Sequence, residues 1–466
     1  MFNIKVMSIK EKAGILIGAA SSGSGKTTFT LGLLRTLRNR GIVVQPYKCG
    51  PDYIDTQYHG LAAGRESVNL DLFMGGEEHV REIFARYSQG AGACVVEGVM
   101  GLFDGYSKMR GSSAEVAQVL DIPVLLIVNA KSCAYSVAPI IYGYRNFNPQ
   151  VRIAGVVFNM VGSPGHYATL KDACQELGVP VLGYLPKNSE IEIPSRHLGL
   201  SLDEEFLFGE YAEKVAAMVE QYVDVDAILK IFTPPSGTLC KGAGTEPCSG
   251  EGCTTDGTGP DADWQRIPGS GASGLKIAVA RDEAFNFIYR ENIHSLEKLG
   301  KVEFFSPLKD TQLPECDLLY LPGGYPELHL ERLQGNVQMR GQIRDYIENG
   351  GRCWAECGGM MYLCNSISDE DGNEFEMCGV LGQKATMVGK RLQMGYRKFN
   401  YAGRELRGHE FHYSKVVPDP GHPLQSIAQL YNAAGNEVAT PLYRYRNLIA
   451  GYTHLYWGNV NLLELF

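Results

Sequence analysis

The segment KAGILIGAASSGSGKTT, residues 12–28, carries the fold prediction for the first half of the chain. Its apolar beginning is typical of a strand buried on both faces of a parallel sheet. Its glycine-rich end is typical of a loop that binds phosphate at the start of a helix. The residues that follow, FTLGLLRTLRNRG, repeat leucine at helical spacing and stop at Gly41. The segment therefore predicts a strand, a phosphate-binding loop and a helix, in that order.

Similar apolar runs recur along the first half of the chain, with helical segments between them. They are IVVQPYKC, ACVVEG, IPVLLIVNA, RIAGVVFNMV and PVLGYLP. Continuous apolar strands that alternate with helices indicate a doubly wound parallel sheet. We therefore expect an α/β P-loop domain over residues 10–232.

The glycine-rich loop matches the pattern GxxxxGK[ST], except that Ala20 replaces the first glycine. Backbone amides at a helix start bind phosphate oxygens, the lysine reaches the terminal phosphates, and the threonine can ligate Mg²⁺. A plain glycine-rich turn is the alternative, but the lysine and threonine after a strand favour a nucleotide site. The expected nucleotide-binding residues are Gly23, Ser24, Gly25, Lys26, Thr27 and Thr28.

Acidic residues follow two of the predicted strands. Asp52 lies in CGPDYID and Glu97 lies in VVEGVMGLFDG, with Asp55 and Asp104 as second choices. The carboxyl ends of parallel strands meet at one edge of a sheet, so these side chains should lie near the phosphate loop. We expect Thr27, Asp52 and Glu97 to form a magnesium site. Each acid alone could instead cap a helix or close a turn.

The second half of the chain contains the run RCWAECGG, residues 352–359. A cysteine between an apolar run and two glycines is typical of a strand-to-helix elbow that presents a nucleophile. We therefore expect Cys357 to be catalytic. A nucleophilic cysteine needs a base, and His454 in GYTHLYWGN is our candidate. His409 and His412 compete with it, and they could also bind substrate or simply pack.

An oxyanion hole is the third requirement of this chemistry, because a tetrahedral intermediate carries a negative oxygen. The run LPGGYPEL, residues 321–328, supplies two glycines close to a turn. We expect the backbone amides of Gly323, Gly324 and Gly358 to form this hole.

Residues 233–274 are rich in Gly, Ser, Thr and Pro and have few aliphatic residues, so we expect a flexible linker. Cys240, Cys248 and Cys253 lie within it, but their spacing fits no standard zinc knuckle and a fourth ligand is missing. A second α/β domain is expected over residues 275–466.

The chain has 466 residues and a formal net charge of −9, which argues against nonspecific nucleic-acid binding. The N-terminal residues lack the pattern of a secretory signal, and no apolar run is long enough to span a bilayer. We therefore expect a cytoplasmic protein, without membrane association, whose twelve cysteines are reduced thiols. The sequence leaves the oligomeric state open, and a homodimer is one option.

With these motifs in hand, the chain resembles the cobyrinic acid a,c-diamide synthase family over nearly its whole length. The resemblance rests on these runs in this order: GAASSGSGKTTFTLGLL, YKCGPDYIDTQYH, NLDLFM, VVEGVMGLFDG, LPGGYPELH, AECGGMMYL, MGYR, RGHEFHYS and YTHLYWGN. The family joins a dethiobiotin-synthetase-like P-loop domain to a class I-type glutamine amidotransferase domain.

The resemblance implies that L-glutamine is hydrolysed at Cys357 with His454 as base, and that ammonia passes to the P-loop site. There, ATP with Mg²⁺ would phosphorylate a corrinoid carboxylate, and ammonia would displace the phosphate. The a and c acetates of cobyrinic acid would be amidated in turn. The resemblance also implies that Tyr53, Asp55 and Asp104 contribute to substrate handling.

The chain departs from class I amidotransferases at Tyr456, where they carry a glutamate two residues after the catalytic histidine. A reduced cysteine–histidine dyad is a property of the cobyrinic-type branch, so the departure favours that branch. The linker is longer than the family leads us to expect, which leaves the exact domain boundary open.

Alternative functions remain at this stage. Ni-sirohydrochlorin and hydrogenobyrinic acid are rival tetrapyrrole carboxylic acid substrates within the family, and the cobyric acid synthase branch resembles this chain less well at PDYID. A P-loop switch ATPase is a remote alternative, since such switches carry a lysine where this chain has Ser21. A C-terminal half without glutaminase activity is disfavoured by the intact Cys357 and His454.

Overall fold

The computed structural model describes residues 14–188, 208–232, 274–421, 424–458 and 460–466. The predicted linker at 233–274, with Cys240, Cys248 and Cys253, lies outside the described residues apart from Gly274. Both parts of the chain combine strands with helices, which confirms the predicted α/β class. We call residues 14–232 the N-terminal half and residues 274–466 the C-terminal half.

The described N-terminal half contains seven strands and eight helices. The strands are β1 (Gly14–Ala19), β2 (Val44–Cys49), β3 (Val68–Leu70), β4 (Ala93–Glu97), β5 (Val124–Asn129), β6 (Ile153–Val161) and β7 (Val181–Pro186). The helices are α1 (Lys26–Asn39), α2 (Ile54–Ala63), α3 (Gly76–Tyr87), α4 (Ser113–Leu120), α5 (Val137–Phe147), α6 (Pro164–Gln175), α7 (Phe208–Tyr222) and α8 (Val225–Phe232).

The seven strands form one parallel sheet in the order β3-β2-β4-β1-β5-β6-β7. Helices cover both faces. On β1, Ile15 and Ile17 pack with α1, α2, α7 and α8, while Leu16 packs against α3 to α6 on the opposite face. Because both faces are covered, the strands are mainly apolar, as the sequence predicted, while Lys48 and Glu97 are buried charged residues near strand ends. The edge strand β3 was not predicted, since three residues give no periodic signal.

The described C-terminal half is organised around a second α/β sheet. Its strands are β8 (Leu275–Ala280), β9 (Gly300–Phe305), β10 (Leu318–Leu321), β11 (Arg352–Glu356), β12 (Ser366–Ser368), β13 (Glu374–Glu376), β14 (Lys384–Thr386), β15 (Gln393–Tyr401), β16 (Arg404–His412), β17 (Lys415–Val417), β18 (Leu430–Asn432), β19 (Glu437–Val438), β20 (Leu442–Tyr445), β21 (Leu448–Gly451) and β22 (His454–Leu455). Its helices are α9 (Arg290–Leu299), α10 (Leu330–Gly335), α11 (Val337–Glu348) and α12 (Gly358–Leu363), with 3₁₀ turns at Pro326–Leu328 and Leu462–Leu465.

The main C-terminal sheet has the order β20-β21-β11-β10-β8-β9. A four-stranded sheet, β13-β12-β14-β17, and a five-stranded sheet, β19-β18-β15-β16-β22, lie outside it. In the five-stranded sheet, β15 and β16 are nine residues each and pair along their whole length. Their two-residue turn places Ala402 and Gly403 at φ of 50° and 74°, as the twist of a tight hairpin requires.

The two halves meet at an interdomain aromatic cluster. Its buried members are Tyr53, Phe73 and Met74 from the N-terminal half and Phe287, Tyr289 and Tyr456 from the C-terminal half. Full burial of one such apolar side chain contributes roughly 1.5–3 kcal/mol. The cluster therefore supplies a large apolar contribution to docking of the two halves.

Polar contacts flank this cluster. Glu291 of the C-terminal half is buried and accepts hydrogen bonds from both Arg86 Nη1, at 3.0 and 3.1 Å, and Tyr87 Oη, at 2.6 Å. A buried carboxylate is costly unless it is paired. Separation of the halves would leave Arg86 and Glu291 without each other, so the ion pair favours the docked arrangement.

Among the described residues, none of the helices is both long and apolar enough to cross a membrane.

The packing of α1 on α7 gives a stability prediction. A Cβ added to Gly32 would lie 2.7 Å from methyl groups of both Val215 and Val219. We expect Gly32→Ala to lower the free energy of unfolding by about 1 kcal/mol or more through overpacking, measured by urea denaturation. Gly209→Ala on α7 is the control, because an added Cβ there contacts nothing within 4 Å. Equal stability of both variants would contradict this packing.

Two candidate catalytic sites

The phosphate loop is held by its neighbours on the sheet. Gly23 and Gly25 have φ of 74° and 96°, a region that favours glycine. Asn159, at the end of β6, donates from Nδ2 to the carbonyl of Ser24 at 3.0 Å, and a Cβ on Gly25 would clash with it. The loop therefore depends on glycine at residue 25 for its shape. α1 begins directly afterwards, so its first amides lie at the loop.

Lys26 and Thr27 project into the region where the loop meets β4. Lys26 Nζ donates to the carbonyls of Ser21, at 3.2 Å, and Met100, at 2.6 Å. Burial lowers the pKa of Lys26 to about 8. Thr27 Oγ1 donates to Glu97 Oε1 at 2.7 Å. The structure therefore brings the predicted lysine, threonine and glutamate together.

A buried lysine that the sequence analysis did not single out lies at the centre of this site. Lys48, at the end of β2, places Nζ 2.5 Å from Asp55 Oδ2, 2.8 Å from Glu97 Oε1 and 3.9 Å from Asp52 Oδ2. His59 Nε2 lies 2.7 Å from the other oxygen of Glu97. The site is therefore a cluster of compensating charges, which we call the Lys48 cluster, defined by these five residues.

The charges in the Lys48 cluster change each other's protonation. Burial alone would raise the pKa of Glu97, but the Lys48 ammonium and the hydrogen bond from His59 outweigh it and hold that pKa below its ordinary value. Burial raises the pKa of Asp55 to about 7, with Asp52 adding to the effect and Lys48 opposing it. Burial opposes the charge of Lys48, but Asp55, Glu97 and Asp52 raise its pKa. Glu97 is therefore anionic and Lys48 cationic at neutral pH.

Asp52 and Asp104 stabilise turns beside this cluster. Asp52 Oδ1 accepts from the amides of Ile54 and Asp55, at 3.0 and 2.9 Å, at the start of α2. Asp104 Oδ2 accepts from the amide of Gly101 at 3.0 Å. Both acids thus have the turn or cap contacts that the sequence analysis kept as an alternative, although Asp52 also faces Lys48.

The described residues contain no group of three or more His, Cys, Asp or Glu that could hold a metal ion by itself. Mg²⁺, however, usually keeps several waters and is held by one or two carboxylates together with substrate phosphates. The convergence of Thr27 Oγ1 with the anionic Glu97 carboxylate, next to the phosphate loop, fits that mode of binding.

The second site is the predicted cysteine elbow. β11 ends at Glu356, Cys357 takes φ of 44° and ψ of −105°, and α12 begins at Gly358. A non-glycine residue in this backbone region is strained, and such strain is typical of nucleophile elbows. Gly359 must be glycine because a Cβ there would clash with the carbonyl of Leu321. Burial raises the pKa of the Cys357 thiol, with Glu327 adding to the effect.

The predicted oxyanion glycines lie near one another, and Gly323 packs against His454. A Cβ on Gly358 would lie 3.1 Å from the amide nitrogen of Gly324. A Cβ on Gly323 would clash with the imidazole of His454. The turn at 323–324 therefore lies between the elbow and the histidine, and the absence of side chains allows both approaches.

His454 is fully buried, and neither of its ring nitrogens has a hydrogen-bond partner among the described residues. Burial lowers its pKa to about 3, with His409 and His412 adding to the effect. The imidazole is therefore neutral, as a base must be. Tyr456, which stands where class I enzymes carry an acid, instead places Oη 3.0 Å from His79 Nε2 of the N-terminal half.

Glu356 fixes the strand that carries the histidine. Its Oε1 accepts from the amide of Leu455 at 3.1 Å and from Trp354 Nε1 at 2.9 Å, and its Oε2 accepts from Tyr320 Oη at 2.8 Å. Glu356, directly before Cys357, thus forms a hydrogen bond with Leu455, directly after His454. Burial raises the pKa of Glu356 to about 8.

Lys48, His59 and Glu356 are the polar residues that the sequence analysis missed. Lys48 and His59 fall inside the quoted run YKCGPDYIDTQYH, and Glu356 falls inside AECGGMMYL. A charged residue at the end of an otherwise buried strand was the available signal for Lys48 and Glu356. Tyr53 lies in the turn next to the Lys48 cluster, but its ring belongs to the interdomain aromatic cluster.

Comparisons with known proteins identify both domains. Residues 15–200 match the model of the CobQ/CobB/MinD/ParA nucleotide binding domain, and residues 276–462 match that of the CobB/CobQ-like glutamine amidotransferase domain. Among solved structures, the signal recognition particle receptor FtsY of Elizabethkingia anophelis covers 48% of this chain and 65% of its own, at 12% identity and a TM-score of 0.31, which is too low to bear on the fold.

Curated relatives match nearly the full length. The cobyrinate a,c-diamide synthase of Caldanaerobacter subterraneus is 37% identical, over 94% of this chain and 94% of that protein. The hydrogenobyrinate a,c-diamide synthase of Brucella ovis is 37% identical, over 95% and 98%. The cobyrinate a,c-diamide synthase of Dehalococcoides mccartyi is 38% identical, over 97% of each. The predicted resemblance is confirmed: the chain belongs to the a,c-diamide synthase family of glutamine-dependent amidating ligases.

Proposed function

We propose that this chain amidates the a and c acetate carboxylates of cobyrinic acid, with ATP and L-glutamine as co-substrates. The observation that carries the proposal is that one protein contains both a nucleotide-type site and a cysteine elbow, in two halves that contact each other. One half has a phosphate loop beside the Lys48 cluster, and the other has a strained cysteine elbow and a buried neutral histidine that both approach the turn at Gly323 and Gly324. The named relatives act on corrinoid acids of this kind.

In the C-terminal half, the Cys357 sulfur attacks the side-chain amide carbon of glutamine while His454 accepts the thiol proton. The amides of Gly323, Gly324 and Gly358 are the candidate donors to the oxyanion. The carbon–nitrogen bond then breaks, and His454 returns the proton to the leaving ammonia. Water hydrolyses the remaining thioester to glutamate.

In the N-terminal half, an acetate oxygen of the tetrapyrrole attacks the γ-phosphorus of ATP, and ADP leaves. Ammonia attacks the acyl phosphate carbon, a carbon–nitrogen bond forms, and phosphate departs after loss of a proton from nitrogen. Gly23, Ser24, Gly25 and Thr28 belong to the loop that cradles the phosphates, and Lys26 neutralises their charge.

Thr27, Asp52 and Glu97 are the residues that would hold Mg²⁺, which supplies charge neutralisation on the phosphates when bound. Lys48 is a further cation near the transferred group, held by Asp55 and Glu97. Asp55 and Asp104, at this edge of the sheet, remain our candidates for substrate contact, together with Tyr53.

Hydrogenobyrinic acid is the second candidate substrate, because relatives with that name match this chain at the same 37% identity as one named for cobyrinate. Discrimination between similar rings depends on pocket contacts. The test is incubation with ATP, Mg²⁺ and glutamine, with cobyrinate, hydrogenobyrinate or Ni-sirohydrochlorin in parallel, read by mass spectrometry. We expect two amides on cobyrinate. No ATP consumption with any of the three rings would contradict the proposal.

The assignment of glutamine hydrolysis and amidation to separate sites gives a prediction for Cys357. We expect Cys357→Ser to lower glutamine-dependent amidation by about a thousandfold or more, since the nucleophile is lost. Amidation with ammonium chloride should stay near the wild-type rate, because free ammonia bypasses the first site. Glu97→Ala is the converse variant and should abolish amidation with either nitrogen source. Loss of the ammonia-dependent rate in folded Cys357→Ser would argue against two separable sites.

The depressed pKa of Lys26 predicts a pH dependence. The free enzyme loses the Lys26 charge above about pH 8, whereas bound phosphate favours the protonated form. The Kd of ATP should therefore rise with pH above 8, by up to about tenfold per pH unit. Isothermal titration from pH 7 to 10 measures it. Lys26→Arg is the control, because a guanidinium does not titrate in this range. The same slope in both proteins would rule out Lys26 as the titrating group.

A further inference from the structure

Within the described part of the chain, the imidazole of His454 has no hydrogen bond that would fix its orientation. Both ring nitrogens are buried without a partner among the described residues. In cysteine–histidine catalysis the base is normally oriented by a third group. Tyr456 does not fill that role, since its hydroxyl binds His79. Another kind of contact must therefore hold the ring.

Gly323, Phe287 and Tyr53 are among the neighbours of the His454 ring. The backbone of Gly323 lies close against it. The ring of Phe287 lies at 5.8 Å between centroids, and the ring of Tyr53 lies nearer, at 5.3 Å. Gly323 and Phe287 belong to the C-terminal half, but Tyr53 comes from the N-terminal half. One of the side chains that pack against His454 thus comes from the half that carries the phosphate loop.

Tyr53 is itself rigidly held. Its ring stacks on Phe287 at 4.9 Å and 7° and lies 4.6 Å from the ring of Tyr289. Asp52 caps the turn that carries it. Asn69 Nδ2 also fixes this turn, by donating to the carbonyls of Gly50 and Asp52 at 2.9 and 2.8 Å. A side chain fixed in this way can orient a neighbour.

We propose that Tyr53 is a positioning residue for His454, and that its ring takes the place of the missing acid of the glutaminase. The inference rests on the proposed roles of Cys357 and His454. Packing can substitute for a hydrogen bond in holding the rotamer of a buried imidazole, and the neutral ring then has a nitrogen free to accept the thiol proton. Glutamine hydrolysis then depends on this one ring from the N-terminal half.

The turn that carries Tyr53 also carries Asp52 and Asp55 of the Lys48 cluster. Hydrolysis must therefore be assayed without ATP or tetrapyrrole, so that effects on the other site do not enter. The experiment measures this basal glutaminase reaction of the full chain, with kcat and KM determined separately. Wild type and Cys357→Ser come first: if basal hydrolysis does not depend on Cys357, the proposed function fails, and the inference with it.

We expect Tyr53→Ala to lower basal kcat by about tenfold or more, as misorientation of a catalytic group does. KM for glutamine should change by less than about twofold, because the Tyr53 ring packs on the base and on Phe287 and Tyr289. Tyr53→Phe should retain wild-type kcat, since the ring and not the hydroxyl contacts the imidazole. Tyr53→Leu keeps apolar volume without a planar ring, and its basal kcat should lie between those of the alanine and phenylalanine variants. It also replaces the alanine variant in the test if circular dichroism shows that Tyr53→Ala is unfolded.

Phe73→Ala is the matched control. Phe73 belongs to the same interdomain aromatic cluster, but it stacks on Tyr396, at 4.5 Å, rather than on the base. We expect its basal kcat to stay within about twofold of wild type. Wild-type kcat in folded Tyr53→Ala or Tyr53→Leu would overturn the proposal, and so would an equal loss in Phe73→Ala, which would mean that docking in general is responsible.

Discussion

The buried ion pair between Lys48 and Glu97 is the constraint on which the N-terminal site depends. Each of these charges would be very costly if it were buried alone. Together they also satisfy Thr27 and His59, so that β2, β4, α1 and α2 are tied to one point at the carboxyl edge of the sheet. The favourable energy of such a pair is small relative to an apolar replacement. Its contribution is to specify where these four elements meet, directly beside the phosphate loop.

The same cluster has a defined response to pH. The pKa of Asp55 is raised to about 7, so the folded state takes up its proton first as the pH falls. That group stabilises the fold at low pH, and its contribution is lost as the pH rises through about 7. Glu97 has a depressed pKa, so its contribution is present above the ordinary glutamate pKa and is lost in more acidic solution. Because Glu97 stays anionic, Lys48 keeps a charged partner even where Asp55 is protonated.

Much of this organisation could be predicted from the sequence, because strong local patterns carry it. The apolar strand before Gly23, the lysine and threonine at 26 and 27, and the cysteine between β11 and α12 are local signals. Lys48 gave a weaker signal, since one lysine at the end of a strand is common. The orientation of Tyr456 towards His79 could not be predicted, because it depends on a contact between residues 377 positions apart. The β15–β16 hairpin was missed because Ala402 adopts a positive φ that alanine rarely takes.

The interdomain aromatic cluster has a chemical consequence for the nitrogen that leaves the glutaminase site. The cluster consists of buried apolar side chains, and an apolar environment strongly disfavours a charged ammonium ion. Nitrogen that crosses this region would therefore travel as neutral ammonia, whose free lone pair is what attack on an acyl phosphate requires. The neutral state of His454 is consistent with the same environment, since burial lowers its pKa to about 3. The same apolar environment would thus keep His454 unprotonated and would keep ammonia unprotonated while it crosses to the N-terminal site.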